Sequence, residues 1–90
     1  MFGPQASMAD VREEIRHMIL DSFLGGAPDA ALGDDESLDR AHIVDSVRAL
    51  ELLLFVEEHF GITVENEEAV PENFDTVSNI VAFIERKRAV

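Results

Sequence analysis

The stretch AHIVDSVRALELLLFVEEHFG, residues 41–61, decides the fold. Its apolar residues recur at helical spacing and predict an α-helix over residues 45–61, ended by Gly61. The predicted stripe consists of Val47, Leu50, Leu53, Leu54 and Phe60, and it is widened by Leu52, Phe55 and Val56. A helix that is apolar over most of its circumference is expected to pack on more than one side. Asp45 and Ser46 both suit a helix start, so by themselves they indicate only local structure.

Two further helices are predicted near the ends of the chain. The first covers residues 7–24, with Ser7 and Asp10 as a start that resembles a capping box and Gly25-Gly26 as its end. Its predicted buried stripe consists of Val11, Ile15, Met18, Ile19 and Phe23. The last helix begins after Thr76 as N-cap, and its predicted buried face consists of Val77, Ile80, Val81 and Ile84. Its basic end, residues 86–88, complements the negative pole of the helix dipole.

The connections between these helices are long. Residues 25–44 show no sustained period, and we expect Leu32, Leu38 and Ile43 to return to the core and fix this loop. Between residues 62 and 76 we expect at most a short helical turn at residues 67–70, stopped by Pro71. Residues 62–64 have no partner strand elsewhere in the sequence. The predicted fold is therefore all-α, a four-helix bundle of three main helices and one short helix with a long first loop.

The 90 residues are enough for a single domain, which we place at residues 9–88. Residues 1–8 are expected to be a flexible N-terminus or a leftover of cloning. The chain has no cysteine, so it offers no thiolate for catalysis or zinc binding. No apolar run is long enough to cross a bilayer, and the N-terminus lacks the features of a signal peptide. We therefore expect a cytoplasmic, monomeric protein without membrane insertion.

The charge of the chain is strongly acidic. Nineteen acids against seven bases give a formal net charge of −12. This charge opposes binding to nucleic acid, because phosphate contacts require Lys and Arg. It favours partners with basic surfaces, and it would equally serve to keep a small protein soluble.

Metal binding and hydrolysis are both disfavoured by the sequence. The acidic cluster at residues 34–39 lacks the ligand order of a calcium loop, and the three histidines are scattered along the chain. Ser46 has His42 and Asp45 nearby, but there is no nucleophile elbow around it. Consecutive Asp45 and Ser46 cannot both project toward one imidazole as a triad requires. We therefore expect no metal site, no catalytic residues and no enzymatic activity.

The ordered series over residues 43–84 resembles the acyl carrier protein family, including its peptidyl and aminoacyl carrier relatives. The series has Asp45-Ser46 before an apolar residue, then an apolar helix with Glu51, Glu57-Glu58 and Phe60-Gly61, then Glu67, Glu68, Ala69, Phe74 and Thr76-Val77. The resemblance covers about residues 9–88. The chain departs from it at His42 and Val44, where many carriers have Gly, and at Arg48, where fatty-acid carriers have an acid.

This resemblance implies that a separate transferase attaches 4′-phosphopantetheine to Ser46, with Asp45 helping to hold Mg²⁺ during that step. It implies that acyl intermediates of fatty acid, polyketide or specialised lipid pathways are carried on the arm as thioesters. The new phosphodiester would lie at a helix N-terminus, where free N–H groups and the dipole stabilise an anion. An aminoacyl or peptidyl carrier is the alternative. An unmodified acidic helical adaptor, from another class of protein, would leave the ordered match unexplained.

The resemblance also implies partners and two sets of contact residues. The partners are the phosphopantetheinyl transferase, the loading enzyme and downstream synthases or transferases with basic docking patches. The candidate partner-binding residues are Val47, Glu51, Leu54, Glu57, Glu58, Glu67 and Glu68. The candidate residues for an acyl pocket are Leu50, Leu53, Val56, Val64, Ala69 and Phe74. A solvated helix face explains the first set equally well, and an ordinary core explains the second.

Overall fold

Four α-helices follow one another in the computed structural model, which describes residues 8–88. They are α1 (Met8–Ser22), α2 (Ser46–Phe60), α3 (Pro71–Phe74) and α4 (Val77–Arg88). Two 3₁₀ turns, Asp29–Ala31 and Asn66–Glu68, lie in the connections, and no strand occurs within residues 8–88. The prediction of an all-α bundle with three main helices and one short helix is confirmed.

The core lies between α1 and α4, with α2 packed on it. The predicted stripes on α1 and α4 are buried, apart from Met18, which is partly buried. Only two residues of α2, Leu52 and Val56, are fully buried in this core. The core cluster consists of Val11, Ile15, Ile19, Leu20, Phe23, Leu32, Leu38, Ile43, Leu52, Val56, Val77, Ile80, Val81 and Ile84.

The long first loop is fixed to the core at several points. The prediction that Leu32, Leu38 and Ile43 return to the core is confirmed, because all three side chains are buried. Arg16 of α1 also holds this loop, since its guanidinium donates to the Leu32 carbonyl at 2.8 Å and to Asp34 Oδ1 at 2.6 Å. Burial lowers the pKa of Arg16, but its hydrogen bonds and ion pairs with Asp29 and Asp34 outweigh this effect and raise it.

The predicted apolar stripe on α2 is not the side of the helix that faces the core. Val47 is 68% exposed, Leu50 57% and Leu54 45%, whereas the buried residues Leu52 and Val56 belong to the set that was expected only to widen it. The physical reason is that α2 is apolar on nearly every side, so helical periodicity does not distinguish the side that faces the core. Packing within the chain therefore does not explain why apolar residues occupy the exposed side of α2.

The prediction for Pro71 is also wrong. Pro71 does not stop a helical turn at residues 67–70 but begins α3, where its missing N–H is harmless because the first turn has no acceptor for it. The helical turn lies at Asn66–Glu68, slightly earlier than predicted. Met8, assigned to the N-terminal segment, is the first residue of α1. The predicted cap at Ser7 lies outside the described residues.

The predicted ends of α2 and the start of α4 are confirmed. Gly61 ends α2 in the left-handed region at φ 67°, which favours glycine, and its N–H donates to the Glu57 carbonyl at 3.0 Å. Thr76 precedes α4, and its Oγ1 accepts a hydrogen bond from the Asn79 amide at 2.9 Å.

Candidate functional site

The start of α2 presents Ser46 to solvent. Asp45 is the N-cap, and its Oδ1 accepts a hydrogen bond from the Arg48 amide at 2.9 Å. Ser46 is the first helical residue, and its side chain is exposed. Within residues 8–88 the Ser46 hydroxyl takes part in no hydrogen bond. The capping role therefore belongs to Asp45, and the Ser46 hydroxyl is left accessible for chemistry.

Arg48 holds the segment before Ser46 in place. Its Nη1 donates to the Ile43 carbonyl at 3.1 Å, and its guanidinium carbon lies 5.6 Å from the centre of the Phe23 ring. The side chain of Arg48 is therefore directed back to the loop and the end of α1. This contact gives a structural role to a residue that departs from the fatty-acid carrier pattern.

His42, where many carriers have Gly, is a second departure from the carrier pattern. It is the one non-glycine residue in the described chain with a positive φ, at 59°. The left-handed region is sterically unfavourable for residues with a Cβ and is not unfavourable for glycine. The backbone at position 42 therefore has the conformation that favours glycine, which many carriers have there.

Asp75 ties the loop before Ser46 to the corner between α3 and α4. Its Oδ1 accepts a hydrogen bond from Ser37 Oγ at 3.0 Å and one from the Asp39 amide at 3.3 Å. Its carbonyl accepts the Leu38 amide at 2.8 Å. These three bonds hold two walls of the site together, and neither Ser37 nor Asp75 was singled out from the sequence because the bond joins residues 38 positions apart.

A groove of about 750 Å³ opens beside Ser46, between α2 and α3. It is lined by Ser37, Asp39, Arg40, Val44, Asp45, Ser46, Ala49, Leu50, Leu53, Ala69, Val70, Pro71, Phe74 and Asp75. Four of the six candidate acyl-pocket residues are therefore brought together around Ser46, namely Leu50, Leu53, Ala69 and Phe74. Ala49, three residues after Ser46 on the same helix, was missed although helical spacing points to it.

The other two candidate pocket residues lie elsewhere. Val56 has no exposed surface and packs in the core, and Val64 is not among the residues that line the groove. Both were candidates for the pocket from the resemblance, and neither forms part of this groove. The reason for Val56 is helical phase, since it follows Leu52 by four residues and both lie on the core side of α2.

The outer face of α2 combines apolar and acidic side chains. Val47, Leu50 and Leu54 are its large exposed apolar residues, and Glu51 and Glu58 are exposed at helical spacing beside them. Exposed apolar residues grouped in this way are typical of interaction sites. Glu67 is exposed as well. Five of the candidate partner-binding residues are therefore exposed to solvent, namely Val47, Glu51, Leu54, Glu58 and Glu67.

The remaining two candidate acids are engaged within the chain. Glu57 Oε2 accepts the Val64 amide at 2.8 Å. Glu68 Oε1 accepts the Glu65 amide at 2.9 Å, and both Glu68 oxygens lie within 3.2 Å of Lys87 Nζ. The Glu65 amide, and after it Lys87, holds the pKa of Glu68 below its ordinary value. Glu57 and Glu68 therefore have structural partners that Glu51 and Glu58 lack in the described part of the chain.

The described residues contain neither a metal cluster nor a membrane span. No group of three or more His, Asp or Glu side chains within residues 8–88 is arranged to hold a metal ion. No helix in the same range is long and apolar enough to span a membrane.

Comparison with known proteins points to one family. Residues 18–84 match the family model described as "Phosphopantetheine attachment site". The chain is 34% identical over 76 residues to an acyl carrier protein of Akkermansia muciniphila, covering 84% of this chain and 90% of that protein. It is 30% identical over 79 residues to a D-alanyl carrier protein of Streptococcus mutans, covering 88% and 96%. A probable acyl carrier protein of Serratia sp., PigG, is 32% identical over 71 residues, covering 79% and 80%.

Proposed function

Because the chain belongs to the family of carrier proteins with a phosphopantetheine attachment site, we propose that Ser46 is its attachment residue and that its cargo is an acyl group. The family establishes the general role. The protein is a carrier and not an enzyme, and its prosthetic group is 4′-phosphopantetheine bound covalently to a serine. When bound, this group supplies the thiol on which cargo is held as a thioester.

The exposure and hydrogen bonding of Ser46 are the observations that support this assignment. Its hydroxyl is exposed, it makes no hydrogen bond within residues 8–88, and it lines the groove beside α2. Asp45 satisfies the helix cap, so modification of Ser46 would break no bond that holds the helix. A serine needed for capping would be a poorer attachment point, because esterification would weaken the hydrogen bond that its oxygen accepts.

The helix start suits a phosphodiester on Ser46. The first backbone bond within the helix runs from the Ala49 amide to the Asp45 carbonyl at 2.8 Å, and the Arg48 amide is taken by Asp45 Oδ1. The amides of Ser46 and Val47 have no acceptor within residues 8–88. Together with the positive end of the helix dipole they favour an anion at this place.

Asp45 suits the role proposed for it during modification. One of its oxygens caps α2, and the other accepts no hydrogen bond within the described chain. Carboxylate oxygens are the ligands that Mg²⁺ prefers, and this ion binds one or two carboxylates together with substrate phosphates. Asp45 would thus help to hold Mg²⁺ beside coenzyme A in the complex with the transferase.

The groove supports acyl cargo. Leu50, Leu53 and Phe74 give it an apolar surface, and the proposed attachment residue is one of its lining residues. An aminoacyl cargo is the second candidate, because D-alanyl carrier proteins are among the similar proteins and Arg48 departs from the fatty-acid pattern. Incubation of the holo-protein with ATP and either an acyl-adenylate-forming or an aminoacyl-adenylate-forming loading enzyme, each with its own acid, would distinguish the two cargoes by the mass that the arm gains as AMP is released.

The outer face of α2 is the proposed docking surface for partner enzymes. Carrier proteins interact with phosphopantetheinyl transferases and with loading and synthase enzymes. The exposed apolar residues Val47 and Leu54 would make direct contacts, and Glu51 and Glu58 would attract basic patches. Attraction of this kind raises the rate of encounter more than affinity, which suits partners that must be exchanged quickly.

Intact-mass measurement tests the attachment. The apo-protein is incubated with coenzyme A, Mg²⁺ and a broad-specificity phosphopantetheinyl transferase. We expect wild type to gain the mass of one phosphopantetheine and Ser46→Ala to gain nothing. Ser22→Ala is the matched control, because Ser22 is also exposed at a helix end and should leave the gain intact. A mass gain on Ser46→Ala would refute the assignment, and no gain on wild type would favour an unmodified adaptor.

A further inference from the structure

The basic residues of this acidic chain are nearly all engaged. All seven lie within residues 8–88, and five have a side-chain partner there. These five are Arg12 and Arg16 with Asp34, Arg48 with the Ile43 carbonyl, Arg86 with Asn73, and Lys87 with Glu68. The other two, Arg40 and Arg88, are exposed, and their guanidinium groups have no partner in the same range.

The two unpaired bases differ in position. Arg40 lines the groove together with Ser46, whereas Arg88 is the last residue of α4 and does not line it. The backbone at Arg40 is fixed, because its amide donates to Ser37 Oγ at 3.2 Å and Ser37 in turn donates to Asp75. Arg40 is therefore a cation with a positioned backbone and an unpaired side chain, in the groove that the proposed attachment residue also lines.

The acids that line the groove do not take up this cation. Asp39, Asp45 and Asp75 share the groove with Arg40, but none forms an ion pair with it. Asp45 and Asp75 each use one oxygen to accept amide or hydroxyl hydrogens. A phosphodiester on Ser46 would add a negative charge to the groove that Arg40 also lines, and its oxygens match the planar donor fork of a guanidinium.

We propose, on the basis of the proposed attachment at Ser46, that Arg40 is a positioning residue whose guanidinium binds the phosphodiester of the arm. The ion pair holds the start of the arm against the groove wall. The arm is thereby directed along Leu50, Leu53 and Phe74 rather than away from the protein. Because the pair is exposed, it is weak and sensitive to salt, so that a partner enzyme can release the arm without a large cost.

Phosphorus NMR of the holo-protein tests this proposal. The ³¹P resonance is recorded for wild type, Arg40→Gln, Arg40→Lys and the matched control Arg88→Gln as NaCl is raised from about 0.1 M to about 1 M, where the Debye length falls from about 10 Å to about 3 Å. For wild type and Arg88→Gln we expect the resonance to move with salt toward that of free phosphopantetheine. For Arg40→Gln we expect this salt response to be lost, and Arg40→Lys should restore part of it.

The possible failures are distinguishable. If Arg40→Gln has the same ³¹P resonance and salt response as wild type, the role of Arg40 is refuted while the attachment at Ser46 stands. If wild type gains no phosphopantetheine, the proposed function and this role fail together. Circular dichroism should be unchanged in both glutamine variants, because neither guanidinium contacts a partner within residues 8–88. The urea midpoint should be unchanged for Arg40→Gln and slightly lowered for Arg88→Gln, whose charge lies at the negative end of the α4 dipole.

Discussion

The carboxylate of Asp45 accepts the Arg48 amide at 2.9 Å, and this bond separates the structural role of Asp45 from the chemical role proposed for Ser46. Two neighbouring residues that both suit a helix start thus have different tasks. Asp45 stabilises α2 as its N-cap. Ser46 is exposed and lines the groove, and its hydroxyl makes no hydrogen bond in the described chain. This division of tasks leads to the first prediction.

Substitution of Asp45 should separate capping from metal binding. Asp45→Ala removes the cap and should lower the free energy of unfolding by about 1 kcal/mol, whereas Asp45→Asn keeps a capping oxygen and should cost little. Both should slow the Mg²⁺-dependent addition of phosphopantetheine. Alanine has no side-chain oxygen to bind the ion, and the amide of asparagine is a poorer magnesium ligand than a carboxylate. Urea unfolding and timed mass spectra measure the two effects. Asp35→Asn, an exposed loop substitution, is the control, and a wild-type rate of addition for Asp45→Asn would contradict the magnesium role.

Position 42 should tolerate glycine better than histidine. At φ 59° the Cβ of His42 costs about 1–2 kcal/mol of stability, which glycine would relieve. The greater conformational freedom of glycine in the unfolded chain would oppose folding by about 0.5–1 kcal/mol. We expect His42→Gly to raise the free energy of unfolding by about 0.5 kcal/mol and His42→Val to lower it. Ala82→Gly, at an exposed site within α4, should lower it by about 1 kcal/mol. Equal destabilisation by both glycine substitutions would mean that position 42 is not strained.

The acids on α2 should divide into docking and structural residues. Charge reversal at Glu51 and Glu58 should reduce kcat/KM of a partner enzyme at least about tenfold at low salt, because steering by exposed charge is lost. Glu57→Ala should instead lower stability by about 1 kcal/mol, since the Val64 amide loses its acceptor. Steady-state kinetics and urea unfolding separate these outcomes. Glu13→Lys, at an exposed site on α1, is the charge control, and an unchanged rate for the double reversal would remove Glu51 and Glu58 from the docking surface.

Acyl loading should perturb the groove and leave the core unchanged. When the thiol of the holo-form is acylated to an octanoyl thioester, we expect chemical-shift changes to concentrate at Leu50, Leu53, Ala69 and Phe74, which line the groove. Val56 in the core is the internal control and should change little. Two-dimensional NMR of the two forms measures this. If the groove residues keep their holo-form shifts, the acyl chain does not enter the groove.

Acidification should weaken the contact of Glu68 with the end of α4. Its pKa is held below the ordinary value of 4.5 by the Glu65 amide and Lys87, so the folded state binds this proton less readily than the unfolded state. The stabilisation is therefore present above pH 4.5 and is lost as the pH falls through the lowered pKa. The difference in urea midpoint between wild type and Glu68→Gln should be largest near neutrality and shrink in acid. Glu67→Gln, an exposed neighbour, should show no such trend.

The parts of the fold that depend on local chemistry were predictable from the sequence. The predicted α2 over residues 45–61 agrees with the observed Ser46–Phe60 because Gly61 adopts the left-handed conformation and Asp45 provides a cap, and both signals are local. The core contacts of Leu32, Leu38 and Ile43 were predictable because isolated apolar residues in a polar loop have few other reasons to occur.

The parts that depend on contacts between distant residues were not predictable. Val47, Leu50 and Leu54 fit a helical stripe as well as the buried residues do, and only packing against α1 and α4 decides which side is covered. The bond between Ser37 and Asp75 joins two loops that have no pattern in common. Pro71 was read as a stop signal, although proline is equally suited to the first position of a helix.

The most direct test of the central claim is tandem mass spectrometry of the protein isolated from its native cells. A peptide that contains Asp45 and Ser46 can be fragmented to locate any added group and to identify what is bound to it. We predict phosphopantetheine on Ser46, with an acyl group on its thiol in part of the population. An unmodified Ser46, or the same group found on Ser22, Ser37 or Ser78 instead, would contradict the account.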